Sequence, residues 1–427
     1  MDGVQDKESQ GEENDMKTKL ERIRYDIDEL AKISVTQGPG CCRQTYTKEF
    51  AEARDYIVNS MKESGLCVRE DAVGNIFGRM DGKNPDAPVI MCGSHFDTVR
   101  TGGRFDGLAG VVTALEVARV MKEEGFVPNC PLEFVATAEE EGTRFSGGLF
   151  GSRAMCGKLY ENELENSLDL DGISMAQAMR EYGLDPEKAN EAILDPEKVR
   201  MFLELHIEQG PVLDAEKIEI GIVDAIAGLR RWVVTVKGRS DHSGSTPMNM
   251  RADTMLAAAR ALVRGTAKTA ELGDGTMVTC GSVEVKPGAM NVVANETVFK
   301  IDCRGKNMDS VGAVLEEIRA SLEESVETYA GLSFEINEIL RIESVYTDEK
   351  VQDIFEEIAK EKEISCKRML SGAGHDAMIM SEICDVAMLF VPSLNGRSHV
   401  PEEWTDYEDI QKGAEIMYEA ICKLASE

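Results

Sequence analysis

Residues 87–125 read APVIMCGSHFDTVRTGGRFDGLAGVVTALEVARVMKEEG, and residues 132–142 read LEFVATAEEEG. The first stretch opens on a short apolar run, closes it with His95 and Asp97, and passes through glycines into a segment whose apolar residues recur at helical spacing. The second is another short apolar run, closed by Glu139, Glu140 and Glu141. Strand, helix, strand, with strands apolar on both faces, predicts a mostly parallel sheet covered by helices. In such sheets functional residues gather just past the carboxyl ends of strands. His95 and Asp97 stand at one such end and the three glutamates at another.

Working outward, residues 17–66 read as helices around a loop, the second of them (TKEFAEARDYIVNSMKESG) stopping at Gly65. GNIFGRM is a further short strand. Residues 160–200 are acidic and helical in composition, with turns marked by Asp-Pro at 185–186 and 195–196. FLELHIEQG then gives a strand that ends in His206. From 226 the pattern changes. RRWVVTVKGR alternates Trp232, Val234 and Val236 on one face, a helical stretch follows, then TMVTCGSVEVKP and ETVFKIDCRG as strands, a second helix, and LSFEINEIL. That order is β-α-β-β-α-β, a ferredoxin-like arrangement inserted into the first domain. The first pattern resumes at TDEKVQDIFEEIAKEKE and closes on an amphipathic helix at 406–425. The expected fold is α/β: a larger mixed-sheet catalytic domain from 1–225 and 341–427, and a smaller inserted domain at 226–340.

A net charge of -31 argues against nucleic acid and anionic membranes, because phosphate contacts need clustered Lys and Arg. No apolar run approaches the roughly 20 residues that cross a bilayer. The first twenty residues, MDGVQDKESQGEENDMKTKL, have no apolar core; they read as a frayed leader ahead of the first helix and not as a secretory signal. The 11 cysteines are scattered without a CxxC pair, which predicts reduced, mostly buried thiols in a cytoplasmic protein. So acidic a chain needs a local basic residue if its substrate is an anion.

All 5 histidines sit in short motifs rich in Gly, Asp and Glu. Five residues have the types and settings for a two-metal site: His95 at a strand end, Asp106 before a helix, Glu141 after a strand, His206 at a strand end, and His399 in a loop flanked by Gly and Pro. Nitrogen and oxygen donors without thiolate suit Zn, Mn, Co or Ni. An aspartate can bridge two ions, and Asp97 can accept the second N–H of His95 and fix its tautomer. In the Glu139–Glu141 run alternate side chains point apart, so one can bind metal while its neighbour serves as general base. Taken singly, each feature has a plainer explanation: a hydrogen-bonded structural histidine, a solvated acidic face, a helix cap at Asp106. HxD, FDG, EEEG, HIEQG and SHVP in this order at strand ends outweigh those explanations together.

GSHFDTVRTGGRFDGLAGV, EEEGTRF, HIEQGPVL, DHSGSTPM, AMNVV, DCR, GAGHDA and SHVPEEW resemble the amidohydrolases of the hydantoinase/carbamoylase family, within the di-metal aminoacylase and carboxypeptidase superfamily. The resemblance runs from about Thr45 to Gln411. It implies two divalent ions per subunit, one held by His95, Asp106 and His206, the other by Asp106, Glu141 and His399. It further implies Glu140 as general base, Asp97 as partner of His95, and a cis peptide after Asp106. Arg304 is implied to grip the substrate carboxylate, with Gln209, Asn291 and His375 lining the pocket. His242 is implied to stabilise the oxyanion in the neighbouring subunit of a homodimer. Without the resemblance, loop hydrogen bonding explains His242 and His375.

The activity implied is hydrolysis of a ureido C–N bond, in an N-carbamoyl-L-amino acid or in allantoate, with release of ammonia and carbon dioxide. IAGLRRWVVTVKG and KIDCR resemble the allantoate enzymes more than the carbamoylases. The smaller domain is implied to be a lid and the dimer surface. The alternatives are an aminoacylase or dipeptidase of the same superfamily, and a catalytically silent metal-binding protein on the same scaffold.

Overall fold

The computed structural model describes residues 16–36 and 38–427, so the expectation for the leader falls largely outside the described residues. They form two compact units: one runs to Ile220 and takes in Ile354–Cys366 and Leu389–Glu427; the other comprises Gly221–Asp353 and Lys367–Met388.

In the first unit, strands β1 (Cys67–Glu70), β2 (Ile76–Met80), β3 (Val89–His95), β4 (Leu132–Thr137) and β5 (Val199–Ile207) lie in the order β1-β2-β4-β3-β5. β3 is parallel to both β4 and β5, while β1 and β2 are antiparallel additions at the edge, so the sheet is mixed. Every residue of β3 and β4 is buried, in keeping with their largely apolar sequences, and the burial extends to Glu133, Ser94, His95 and Thr137. Register fixes the site. His95 pairs with Thr137, and Cys92 with Leu203, which carried three residues on brings His95 level with His206.

Helices α2 (Lys48–Glu63) and α3 (Leu108–Glu123) cover this sheet with the closing helix Tyr407–Leu424, and α1 (Leu20–Lys32) packs on α3 and the closing helix. Thr47 caps α2 by accepting the Phe50 N–H at 3.2 Å. α3 is not the half-exposed amphipathic helix its pattern suggests. It packs against β3, β4, β5, α1 and the closing helix, and even Glu116 is buried, accepting the Lys19 N–H at 2.7 Å and pairing with Arg22 at 2.6 Å.

The second unit holds β6 (Ile220–Ile226), which pairs with β11 (Val345–Tyr346) and β12 (Cys366–Ser371). It also holds a four-stranded antiparallel sheet of β7 (Gly228–Lys237), β8 (Met277–Lys286), β9 (Glu296–Gly305) and β10 (Ser333–Ile342), in the order β10-β7-β9-β8. Helices Thr254–Leu272 and Met308–Thr328 cover one face of it. Trp232, Val234, Val236, Phe299 and Ile301 pack there against Ala258, Ala261, Val314 and Ile318. The last strand is β13 (Asp385–Val391).

All 11 cysteines are unpaired, as expected of reduced thiols, but only Cys41, Cys92, Cys130 and Cys303 are fully buried and Cys67 is exposed. Among the described residues no helix is long and apolar enough to cross a membrane.

Candidate metal centre

The carboxyl ends of β3 and β5 place two imidazoles side by side, tilted by 33°. The His95 Nδ1–H donates to the carbonyl of Asp97 at 3.1 Å, and the His206 Nδ1–H to the carbonyl of Ile207 at 2.9 Å. A carbonyl can only accept, so in the neutral rings both Nε2 atoms keep their lone pairs. Those two Nε2 atoms lie 3.4 Å apart, and Asp106 Oδ1 lies 3.6 Å from that of His95 and 3.2 Å from that of His206. Three buried atoms thus converge, and none carries a hydrogen in that state. This donor set fits a cation.

The other side of the same carboxylate repeats the arrangement. His399 Nε2 is 3.0 Å from Asp106 Oδ2 and 3.4 Å from Glu141 Oε2. Asp106 Oδ1 and Glu141 Oε1 are buried without an aligned hydrogen bond. His95, Asp106 and His206 form one candidate ligand group, and Asp106, Glu141 and His399 another, sharing Asp106. All five predicted ligands therefore meet. Glu140 joins them, its Oε2 3.8 Å from His95 Nε2.

Electrostatics points the same way. Burial, with the charge of Asp106 adding to it, pushes the Glu141 carboxyl up to about 8. At Asp106, burial is outweighed by the adjoining His206, His399 and His95 rings, which in their protonated state hold its carboxyl well below the usual range. The same contact with Asp106 raises His399 to about 9 against its burial. The pocket demands positive charge, whether from protons or from metal.

The local backbone is built for these positions. Gly107 has φ 64, and a Cβ there would lie 2.4 Å from the His95 ring. The turn it makes replaces the cis peptide expected after Asp106: the Asp106–Gly107 bond is trans, and the cis bond among the described residues is Lys286–Pro287. Glu139, Gln209 and His399 also occupy the left-handed region, with φ 55, 57 and 59.

Asp97 departs from expectation. Its peptide carbonyl, not its carboxylate, takes the His95 N–H; Oδ1 stands 3.7 Å from Nδ1. The carboxylate instead accepts the Glu140 N–H at 3.1 Å and the Glu141 N–H at 3.2 Å. It thus orients the two glutamates.

Gln209, expected in the substrate pocket, lies at the centre itself: Nε2 donates to Asp106 Oδ2 at 3.0 Å and stands 3.3 Å from His399 Nε2. The remaining predicted residues lie in the second unit. His242 Nδ1 accepts the N–H groups of Gly244 and Ser245 at 3.1 and 3.2 Å, the loop bonding expected without the resemblance. The Ser243 N–H donates to the Asn291 carbonyl at 3.1 Å, which joins those two loops. Arg304 is steered by Asp302 at 2.8 Å and by the Gly372 carbonyl at 2.9 Å. His375 is buried with Nε2 2.9 Å from Ser371 Oγ.

Sequence reasoning missed Glu403. It is 3% exposed, and it accepts the Phe105 N–H at 2.9 Å, the Asp106 N–H at 3.1 Å and the Ser398 hydroxyl at 2.9 Å. Its one sequence signal is the Glu pair in the motif SHVPEEW.

Residues 91–423 match peptidase family M20/M25/M40. The chain belongs to that family. Its enzymes are metal-dependent, in keeping with the two ligand groups around Asp106. The chain is similar to an N-carbamoyl-L-amino-acid amidohydrolase of Paenarthrobacter aurescens, 45% identical over 96% of this chain and 98% of the relative. It is similar to an allantoate amidohydrolase of Bacillus subtilis, 36% identical over 93% and 96%. Among solved structures it resembles a hydantoinase/carbamoylase family amidase of Burkholderia multivorans, with a TM-score of 0.88, 31% identity, and coverage of 96% and 99%. Of these two enzymes, whole-chain identity is higher with the carbamoyl-amino-acid one, opposite to the lean of IAGLRRWVVTVKG and KIDCR.

Proposed function

We propose that this chain hydrolyses a ureido C–N bond in an N-carbamoyl-L-amino acid or allantoate, releasing ammonia and carbon dioxide and leaving the amine-bearing acid. The observation that carries the reading is the single carboxylate of Asp106 shared by two imidazole-containing ligand groups, in a chain similar over nearly its whole length to enzymes named for these substrates. His95, Asp106 and His206 would hold one divalent ion and Asp106, Glu141 and His399 the other, drawn from Zn, Mn, Co or Ni. Two ions bound there would polarise a carbonyl and make water a stronger nucleophile at neutral pH.

The chain's own groups do the rest. Glu140 takes the proton from the attacking water and returns it to the leaving nitrogen. Asp97 holds the Glu140 and Glu141 peptides so that the two carboxylates keep separate tasks. Arg304 binds the substrate carboxylate as a planar fork, supplying the cation an acidic chain needs for an anionic substrate. Gln209, Asn291 and His375 hold the polar remainder. His242, offered by the inserted domain of a second subunit, donates from Nε2 to the developing oxyanion, since its Nδ1 is occupied as an acceptor. In this reading residues 226–340 are a ferredoxin-like lid and dimer surface on a catalytic domain made of 1–225 and 341–427, and the enzyme works as a cytoplasmic homodimer.

Ammonia release decides it. Metal-replete enzyme is offered N-carbamoyl-L-amino acids, allantoate and β-ureidopropionate, with N-acyl-L-amino acids and dipeptides in parallel. Ammonia from at least one ureido acid is expected. Cleavage of acyl-amino acids or dipeptides alone would make the protein an aminoacylase or dipeptidase.

A further inference from the structure

We propose that Glu403 and Ser398 are positioning residues of the metal centre: Glu403 fixes the backbone that carries Asp106, and Ser398 steers its carboxylate, so that one aspartate can serve both ligand groups. The inference rests on Asp106 being the shared ligand.

Glu403 is a buried carboxylate that no lysine or arginine reaches among the described residues. Buried charge has to be compensated, and here the donors are the Phe105 and Asp106 N–H groups on Oε1 and the Ser398 hydroxyl on Oε2. The chain is shaped around it: a Cβ on Gly103 would lie 2.3 Å from the Glu403 side chain. Ser398 Oγ also stands 3.1 Å from Asp106 Oδ2, the oxygen that faces His399, so its single hydrogen is shared between the Glu403 and Asp106 carboxylates. Two loops, one carrying Asp106 and one carrying His399, are therefore cross-linked by a carboxylate and a hydroxyl that are not in either ligand group. The link sets which way Asp106 points: Oδ1 towards His95 and His206, Oδ2 towards His399. A partner that only pinned the loops would affect stability; one that aims a ligand also affects how tightly and in what geometry ions are held.

The test uses full-length protein stripped by chelation and reloaded with cobalt(II), followed by calorimetry and visible absorption. Glu403→Gln keeps the shape but turns one acceptor oxygen into a donor. It should weaken cobalt binding roughly 10- to 100-fold, the usual effect of removing such a partner, and alter the cobalt spectrum. Ser398→Ala, at a half-buried and small side chain, should do the same to a lesser degree, and Ser398→Thr should restore wild-type binding. Wild-type affinity and spectrum in both Glu403→Gln and Ser398→Ala, with only the melting temperature lowered, would overturn the proposal. If Glu403→Gln does not fold, the Ser398 pair decides alone: Ala indistinguishable from wild type overturns it. A wild-type protein that binds cobalt but frees no ammonia from ureido acids would sink the substrate reading alone.

Discussion

A missing carbon at position 107 lets His95 reach Asp106. Gly107→Ala would put a methyl 2.4 Å from the imidazole on a backbone with φ 64, a conformation that costs an L-residue roughly 1–2 kcal/mol. The ring must leave the position in which its Nε2 faces Asp106 and His206. The expected outcome is a protein with near-native circular dichroism that retains less than its full complement of metal, measured by elemental analysis after dialysis. Beside it, Glu140→Gln should lower turnover by about 10²–10⁴-fold, the usual range for a general base, with metal content unchanged. Undiminished ammonia release from that variant with both ions in place would remove Glu140 from the mechanism. The two changes separate holding metal from moving protons. The sequence made residue types legible here, since HxD, FDG, EEEG and SHVP state which donors are present. It did not make aim legible. Asp97 was expected to serve His95 with its carboxylate and serves Glu140 and Glu141 instead, because the peptide carbonyl of the same residue is nearer to Nδ1.

At the scale of elements, what could be read followed burial. β3 and β4 stand out because they are largely apolar on both faces and stop at polar residues, whereas β5 carries Arg200, Glu204 and His206 on one face and is marked by the HIEQG motif at its end; the site lies where all three stop. β1 went unread: it is four residues long, half-exposed, and alternates like any surface segment. α3 was read as a helix from its spacing, but not as one buried on nearly every side; even Glu116 is covered, by Arg22 and the start of α1. A comparable buried carboxylate ties the start of the described chain to the closing helix. Glu415 accepts the Lys17 and Thr18 N–H groups at 3.0 and 2.9 Å, the Thr18 hydroxyl at 2.9 Å, and pairs with Lys362 at 2.9 Å. Burial alone would raise its carboxyl; these donors outweigh burial and hold it below the usual range. A depressed carboxyl stabilises the folded state above the unfolded value of about 4.3 and loses that contribution as pH falls through the folded one. Glu415→Gln should therefore cost on the order of 2 kcal/mol at pH 7, and the gap from wild type should close below about pH 4. Thermal melts of both proteins from pH 7 to pH 3 would show it; a gap constant with pH would mean that the charge of Glu415 is irrelevant.

For the whole molecule, a chain of net charge -31 has gathered Asp106, Glu140 and Glu141 into one pocket that only cations relieve. Metal removal should be visible far from the active site. An ion at 100 times its dissociation constant adds about 2.7 kcal/mol per site, so the chelated protein should melt several degrees lower in scanning calorimetry and regain the difference on reloading. Identical melts with and without chelator would mean that the pocket holds no ion. The succession of elements at this scale was largely legible, since the switch from long helices between buried strands to alternating strands at β7 is a change of period. The meeting of His95, Asp106, Glu141, His206 and His399 was expected from their motifs taken together; the contacts that brace it, such as Glu403 with the Phe105 and Asp106 N–H groups, were not, because no local pattern encodes which loop faces which.

Three residues of that meeting place, Glu139, Gln209 and His399, keep full side chains on backbone that suits glycine. Each stores strain of order 1–3 kcal/mol. Selection for heat resistance alone would pull these positions towards glycine and reward the change with a firmer fold, while stripping two side chains, Gln209 and His399, from the centre. In this chain thermal robustness and chemistry compete for the same positions, and any stabilised version must leave them alone.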